Sequence, residues 1–76
     1  MRDEIRSVIA RVSGVSAPEL DDDVMFRDEL GVDSLKALEI LAHCEREFNI
    51  ELSEGECVDM RTVGEFISYV ESRVEN

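Results

Sequence analysis

The chain has 76 residues, of which 19 are Asp or Glu and 8 are Lys or Arg, so its formal charge is −11. This excess of carboxylates repels phosphate backbones and anionic lipid headgroups, which argues against binding to nucleic acid or to a membrane surface. A chain this short forms one modest core that is too small to enclose a substrate, although its 43% hydrophobic residues are ordinary for a globular domain.

The first predicted element is an amphipathic helix that ends at Gly14, a typical helix stop. Its apolar face consists of Ile5, Val8, Ile9 and Val12. Residues 15–33 follow with Pro18 and an acidic run at 21–23, and they fit no regular period. We expect a long loop here, which is uncommon in so small a domain. Its apolar residues, expected to anchor it to the core, are Leu20, Val24, Phe26 and Leu30.

The second predicted helix runs from Ser34 to about Phe48. An advance of about 100° per residue places six apolar residues on one broad face, which we expect to be core. They are Ala37, Leu38, Ile40, Leu41, Cys44 and Phe48. Leu35 lies on the flank of this stripe and should stay partly exposed.

Two capping boxes predict two further helices, at Ser53-Glu54-Gly55-Glu56 and at Thr62-Val63-Gly64-Glu65. Because their first residues are only nine positions apart, the third helix has barely two turns. The apolar residues of the third helix are Cys57, Val58 and Met60. Those of the last helix are Val63, Phe66, Ile67, Val70 and Val74. In the link between the second and third helices, we expect Ile50 and Leu52 to be buried. The fold class is therefore all-α: a small four-helix bundle with three longer helices, one short third helix and a long loop between the first two.

The residues argue against a metal site and against catalysis. Zinc needs about four thiolate or imidazole ligands, and the chain has one His and two Cys. The acidic run at 21–23 lacks the EF-hand pattern because Met25 and Phe26 occupy the ligand and glycine positions, so we interpret it as a solvated turn that binds cations loosely at most. On one helix, His43 lies about 13.5 Å along the axis from Ser34 and on the opposite side, which excludes a catalytic dyad. We predict no catalytic residue and no metal ligand.

Other features predict the setting of the protein. The N-terminal residues do not resemble a signal peptide, and Cys44 and Cys57 are too few for a disulfide scaffold, so we interpret them as small apolar residues. Apolar runs reach only three residues, far short of a transmembrane helix. We expect one domain over residues 1–76, free-standing, monomeric, cytoplasmic and without membrane insertion.

The segment 26–35 is not explained by folding alone. Gly31 supplies a bend that brings Asp33 and Ser34 to the start of the second helix. On the pattern alone, the simplest interpretation is that Asp33 or Ser34 caps this helix. A serine hydroxyl at an exposed helix N-terminus is also a favourable position for a phosphodiester, because free N–H groups and the helix dipole attract anions.

At these residues the sequence resembles an acyl carrier protein. The resemblance covers essentially the whole chain and includes Gly31-Val32-Asp33-Ser34-Leu35, Leu-Glu-Ile-Leu at 38–41 and Thr-Val at 62–63. It implies a non-catalytic carrier of acyl intermediates as thioesters in fatty acid or polyketide-type biosynthesis. In the family, a phosphopantetheinyl transferase uses coenzyme A and magnesium to attach 4′-phosphopantetheine to the serine that corresponds to Ser34. Asp33 and Leu35 would help the transferase recognise that serine.

The resemblance also implies docking of ketosynthase, acyltransferase and other acyl-processing enzymes, whose basic patches meet the second helix. The corresponding docking residues are Leu35, Lys36, Glu39, Ala42, Glu45, Arg46 and Glu47. Lys36 and Arg46 replace the acids usual in the commonest fatty-acid carriers, and His43 adds a titratable group, so a specialised synthase is favoured. The family tends to shelter acyl chains between its helices, and the small residues that would allow space for one here are Ala37, Ala42 and Cys44.

Two other functions stay open at this point. An aminoacyl carrier, of the peptidyl or D-alanyl type, shares the arm and the bundle, although acid-rich helices and Asp33 before Ser34 favour an acyl carrier. In a small acidic interaction module without a prosthetic group, Ser34 would only cap a helix.

Overall fold

The computed structural model of the protein describes residues 1–57 and 59–75. They form helices α1 (Arg2–Ser13), α2 (Ser34–Phe48), α3 (Glu54–Cys57) and α4 (Val63–Glu75), with one 3-10 turn at Ala17–Glu19. This order confirms the predicted all-α arrangement of three longer helices, one short third helix and a long loop between the first two. In this part of the chain, no helix has the length and apolar character needed to cross a bilayer.

The ends of α1 and α2 follow the predicted signals. Gly14 adopts a left-handed conformation, with φ of 80°, and its N–H closes the last turn of α1. The Asp33 carboxylate accepts the N–H of Lys36 at 2.8 Å, so Asp33 rather than Ser34 caps α2. Asn49, with φ of 53°, ends α2 in the left-handed region that asparagine tolerates.

The two predicted capping boxes mark the starts of α3 and α4. The N–H of Glu56 donates to Ser53 Oγ at 3.4 Å, and the N–H of Glu65 donates to Thr62 Oγ1 at 3.2 Å. The Glu65 carboxylate accepts a hydrogen bond from the N–H of Arg61, one residue before the position expected in a capping box. Each serine or threonine therefore satisfies a backbone donor that its helix leaves unpaired.

Helix α3 is shorter than predicted. It comprises only Glu54–Cys57, and none of these four residues is buried. Met60 lies beyond it, where its N–H donates to the Cys57 carbonyl at 3.1 Å. Val58, which the prediction placed on this helix, lies outside the described residues.

The core lies between α1, α2 and α4. Its fully buried side chains are Ile5, Val8, Ile9, Leu20, Ile40, Cys44, Val63, Ile67 and Val70. Phe66 of α4 is also buried, whereas Val12 of α1 and Val74 of α4 are half-buried, as are Ile50 and Leu52 of the link. Leu20 confirms the expected anchoring of the loop, and the buried Val32 is a second anchor that the sequence did not reveal.

The loop between α1 and α2 is fastened to the beginning of α4. The N–H of Phe26 donates to the Arg61 carbonyl, and the N–H of Val63 donates to the Val24 carbonyl, both at 2.9 Å. The Phe26 ring contacts the Phe66 ring edge to face, with centroids 5.9 Å apart. These contacts join segments far apart in sequence and hold the end of the loop beside α2.

The acidic run at 21–23 takes part in this attachment. Its three residues are exposed, but the Asp22 carboxylate lies 2.6 Å from the Arg6 guanidinium and 3.1 Å from that of Arg2. The N–H of Gly64 donates to the Asp22 carbonyl at 2.9 Å, and a Cβ at position 64 would lie 2.8 Å from the Asp22 Cβ. Glycine therefore permits the close approach of the loop to α4 without strain, and the acidic run is more than a solvated turn.

The prediction that the whole apolar stripe of α2 is core is wrong at two residues. Ile40, Leu41 and Cys44 are buried, but Ala37 is exposed and Leu38 is 39% exposed. The stripe is wider than the surface that α1 and α4 cover, because the single turn of α3 leaves a gap beside it. Ala37 and Leu38 line that gap.

Candidate functional site

Ser34 is an exposed residue at the first position of α2. Gly31, with φ of 65°, makes the bend before it, and the buried Val32 fixes the chain two residues earlier. Asp33 already caps the helix, so folding does not use the Ser34 hydroxyl. In residues 1–57 and 59–75, no group lies in hydrogen-bond contact with that hydroxyl.

An apolar groove with a volume of about 210 Å³ opens beside Ser34, between α2, α3 and the end of the loop. Its apolar lining comes from the end of the loop, α2, α4 and the segment around α3. The residues that contribute are Phe26, Val32, Ala37, Leu38, Ile40, Leu41, Cys57, Met60 and Phe66. Asp33, Ser34, Arg27 and Glu54 supply its polar lining. Cys44 and Ala42, which sequence reasoning expected to create internal space, are not part of it.

These residues fit a phosphopantetheine group attached to Ser34. The hydroxyl is exposed and free to form an ester bond, and it lies at the positive end of the dipole of a 15-residue helix. One N–H of the first turn, that of Lys36, is already bonded to Asp33. The site therefore combines a reachable hydroxyl, a helix N-terminus and an apolar groove.

The two cysteines do not provide a second reactive thiol. Burial is the main cause that raises the pKa of the Cys44 thiol to about 12 and that of the Cys57 thiol to about 11. Because the thiolate is the nucleophilic form, this shift lowers the reactivity of both thiols near neutral pH. This agrees with their interpretation as small apolar residues.

The predicted docking residues lie along α2, and most of them are exposed. Leu35 has 67% of its surface exposed, and the other exposed members are Lys36, Glu39, Ala42, Arg46 and Glu47. Glu45 is half-buried, and its carboxylate accepts the N–H of Leu52 at 3.0 Å. That carboxylate therefore holds the link after α2 and is less available to a partner.

Bases within the chain already pair with two acids of α2. Lys36 Nζ lies 3.7 Å from the Glu39 carboxylate, and the Arg11 guanidinium lies 3.3 Å from that of Glu47. Arg46 has no carboxylate within 4 Å in the described part of the chain, and His43 is exposed on the same helix. The outer face of α2 is thus mixed in charge, although the chain as a whole is strongly acidic.

No metal centre emerges among the described residues, where no three His, Cys, Asp or Glu side chains form a metal-binding group. Sequence reasoning missed two charged residues of the groove, Arg27 and Glu54. Neither had a local signal, because their positions depend on the attachment of the loop to α4 and on the short length of α3.

The chain is similar to known carriers over nearly its whole length. Residues 3–70 match the family described as "Phosphopantetheine attachment site". The chain is 36% identical over 73 residues to an acyl carrier protein of Chlamydia caviae, and the aligned region covers 96% of this chain and 95% of that relative. It is 33% identical over 73 residues to one of Chlamydia felis, covering 96% and 94%, and 32% identical over 71 residues to one of Exiguobacterium sibiricum, covering 93% and 90%.

A phosphopantetheine attachment site implies a covalently attached 4′-phosphopantetheine prosthetic group. The chain belongs to the acyl carrier protein family, whose members are carriers rather than catalysts.

Proposed function

We propose that Ser34 carries the 4′-phosphopantetheine arm and that residues 1–76 form one carrier domain, which works in the cytoplasm with acyl groups of fatty acid or polyketide-type biosynthesis. The position of Ser34 supports this most directly: it is exposed at the start of α2, with a free hydroxyl on the edge of an apolar groove. The arm supplies the thiol that forms the thioester. Burial raises the pKa of the protein's own two thiols, which makes them poorer nucleophiles than an ordinary cysteine.

Asp33 and Leu35 are proposed as the residues by which the transferase recognises Ser34. The Asp33 carboxylate fixes the first turn of α2 by accepting the N–H of Lys36. Leu35 exposes 67% of its surface next to the attachment residue. An apolar side chain this exposed contributes little to the core and is available to fill a pocket on a partner.

The groove is proposed to shelter the first part of an attached acyl chain. An enclosed apolar cavity of about 150 Å³ holds benzene, so a groove of about 210 Å³ has room for a short apolar segment. Ala37 and Leu38 leave it open to solvent at one side. Longer acyl chains would therefore extend out of the groove.

The outer face of α2 is the proposed docking surface for the transferase, ketosynthase, acyltransferase and other acyl-processing enzymes. It consists of Leu35, Lys36, Glu39, Ala42, Arg46 and Glu47, with Glu45 as a minor contributor. Because Lys36 and Arg11 pair with two of its acids, a purely basic partner surface gains less here than on a uniformly acidic helix. This favours a specialised synthase over the housekeeping fatty acid synthase.

The attachment is tested by intact-mass measurement. The protein is incubated with coenzyme A, magnesium and a broad-specificity phosphopantetheinyl transferase, and the expected result is a mass gain of one phosphopantetheine. Ser34→Ala should abolish the gain. Ser16→Ala is the matched control, because Ser16 is exposed before the 3-10 turn and its side chain makes no capping bond.

Folded wild type that gains no mass would contradict the carrier proposal and leave an acidic interaction module. A gain that persists in Ser34→Ala would move the attachment to another residue. The group found on protein purified from its own host then tests the cargo: a fatty acyl or polyketide-type thioester supports the proposal, and an aminoacyl group contradicts it.

A further inference from the structure

Arg27 is a base on the edge of the groove that has no acid partner among the described residues. Five side-chain bases pair with a carboxylate within 4 Å: Arg2, Arg6, Arg11, Lys36 and Arg73. Within residues 1–57 and 59–75, the guanidinium of Arg27 has no such partner, and Arg27 is exposed. In a chain of charge −11, an unpaired base in this position calls for a physical explanation.

The backbone on both sides of Arg27 is fixed. The N–H of Phe26 donates to the Arg61 carbonyl, and the Phe26 carbonyl accepts the N–H of Val32, both at 2.9 Å. The Phe26 ring packs on the Phe66 ring, and Val32 is buried. Arg27 is thus held on an anchored turn, and it lines the same groove as Ser34.

The helix dipole favours an anion at Ser34, but the other charged side chains around it do not. The other charged residues that line the groove are Asp33 and Glu54, both acids. Lys36 lies nearby, but its ammonium is 3.7 Å from the Glu39 carboxylate. A phosphodiester on Ser34 would add negative charge beside the Asp33 carboxylate, and Arg27 is the one base among the groove-lining residues.

We propose that Arg27 is the protein's own counter-ion for the phosphodiester at Ser34. This inference rests on the proposed attachment of the arm to Ser34. A guanidinium matches phosphate oxygens with two parallel N–H donors, which gives the pair a direction as well as an attraction. Arg27 therefore acts as a positioning residue that holds the root of the arm at the mouth of the groove and offsets repulsion from Asp33.

The test is a cycle that compares apo and holo protein with and without Arg27. Wild type and Arg27→Gln are converted to holo protein, freed of coenzyme A, and unfolded with urea at low salt. For each protein, we compare the equilibrium constant of unfolding before and after arm attachment. The ratio of the two constants should differ about two- to fivefold between wild type and Arg27→Gln, because holo Arg27→Gln lacks the stabilising contact with the arm. The difference should largely vanish at 1 M NaCl, and Arg27→Lys should restore part of it.

Arg11→Gln is the control. It removes another exposed arginine, which lies on α1 outside the docking surface and pairs at 3.3 Å with Glu47, thirteen positions or about 19.5 Å along α2 from Ser34. Its response to arm attachment should equal that of wild type. As a second readout, the side-chain Nε–Hε resonance of Arg27 should shift between apo and holo protein.

Equal responses of wild type and Arg27→Gln, with an unmoved Arg27 resonance, would overturn the inference and leave the attachment at Ser34 intact. A resonance that moves only when free coenzyme A is added to apo protein would assign the contact to the donor's phosphates, and this also overturns it. Absence of any mass gain on treatment with the transferase would instead remove the attachment itself, and the inference with it.

Discussion

The two sides of α2 differ in how they are covered. On one side, Cys44 is 0% exposed in the core that α2 forms with α1 and α4. On the other side, Ala37 and Leu38 are exposed beside the groove, and none of the residues of α3 is buried. Polar contacts of exposed groups hold α3: the N–H of Ser53 donates to the Tyr69 hydroxyl at 2.7 Å, and the Arg73 guanidinium lies 3.0 Å from the Glu56 carboxylate.

This difference indicates that one side of the domain stabilises the fold and the other forms the candidate site. The closed side, formed by α1, α4 and the face of α2 between them, buries the side chains that stabilise the fold. The open side, formed by α3, the end of the loop and the adjoining face of α2, contains the exposed serine and the groove. An open side with few buried contacts can admit an arm or a partner without unfolding the rest.

The largest expected effect is a difference in the free energy of unfolding between substitutions on the closed side and on the exposed surface of α2. Ile67→Ala removes a fully buried side chain from the closed side and should lower the free energy of unfolding by about 2–5 kcal/mol. Leu35→Ala should change it by no more than about 0.5 kcal/mol, because Leu35 is mostly exposed. Urea unfolding measures both, and similar losses for the two variants would contradict the division.

The next effect concerns the junction between the loop and α4. Gly64→Ala should lower the free energy of unfolding by about 1–3 kcal/mol, because the new methyl group would press on the Asp22 backbone and Cβ. Gly55→Ala in α3 is the matched control. Its nearest neighbour would be Ser53 Oγ at 3.8 Å, so it should stabilise the protein by about 0.4–1 kcal/mol. Equal effects of the two variants would show that the loop does not depend on this close approach.

The sequence predicts the closed side well and the open side poorly. Local signals such as Gly14 and Asp33 mark helix ends, and the 3.6-residue period identifies the buried faces of α1 and α4. The same period assigned Ala37 and Leu38 to the core, because periodicity shows which residues share a face but not whether another element covers that face. Only the length of α3 decides this.

The residues around the groove were not equally accessible to sequence reasoning. A short motif with a local mechanism indicated Ser34 as the candidate attachment residue and predicted the helix cap beside it, which the structure shows at Asp33. Arg27 reaches the groove because the neighbouring Phe26 bonds to Arg61 and packs on Phe66, contacts that join positions 35 and 40 residues apart. Such long-range contacts leave no periodic pattern in the sequence, so the residues they bring to the groove could not be identified from it.

A smaller and local effect is expected at α3. Tyr69→Phe removes the hydroxyl that accepts a hydrogen bond from the N–H of Ser53. The free energy of unfolding should fall by about 1 kcal/mol or less, because water can replace the hydroxyl as acceptor for this exposed N–H. Hydrogen exchange of the α3 amides should accelerate, and that of the α1 amides should stay unchanged. Equal acceleration in α1 would mean that α3 and the closed side open as one unit.

The smallest effect on stability is expected for charge reversal on the docking surface. Lys36→Glu and Arg46→Glu change exposed residues and should alter the free energy of unfolding by no more than about 0.5 kcal/mol. They should nevertheless change the rate at which a housekeeping ketosynthase elongates the acyl group on the carrier, because both substitutions make the outer face of α2 more acidic. Equal elongation of wild type and both variants would contradict a specialised partner.

The division between the two sides is tested most directly by backbone amide NMR of the apo protein and of the holo protein loaded with an eight-carbon acyl chain. We predict shifts at residues that line the groove, among them Leu38, Ile40, Cys57 and Phe66, and none in the middle of α1. Shifts in α1 as large as those of the groove residues, or no shifts around the groove, would contradict the account.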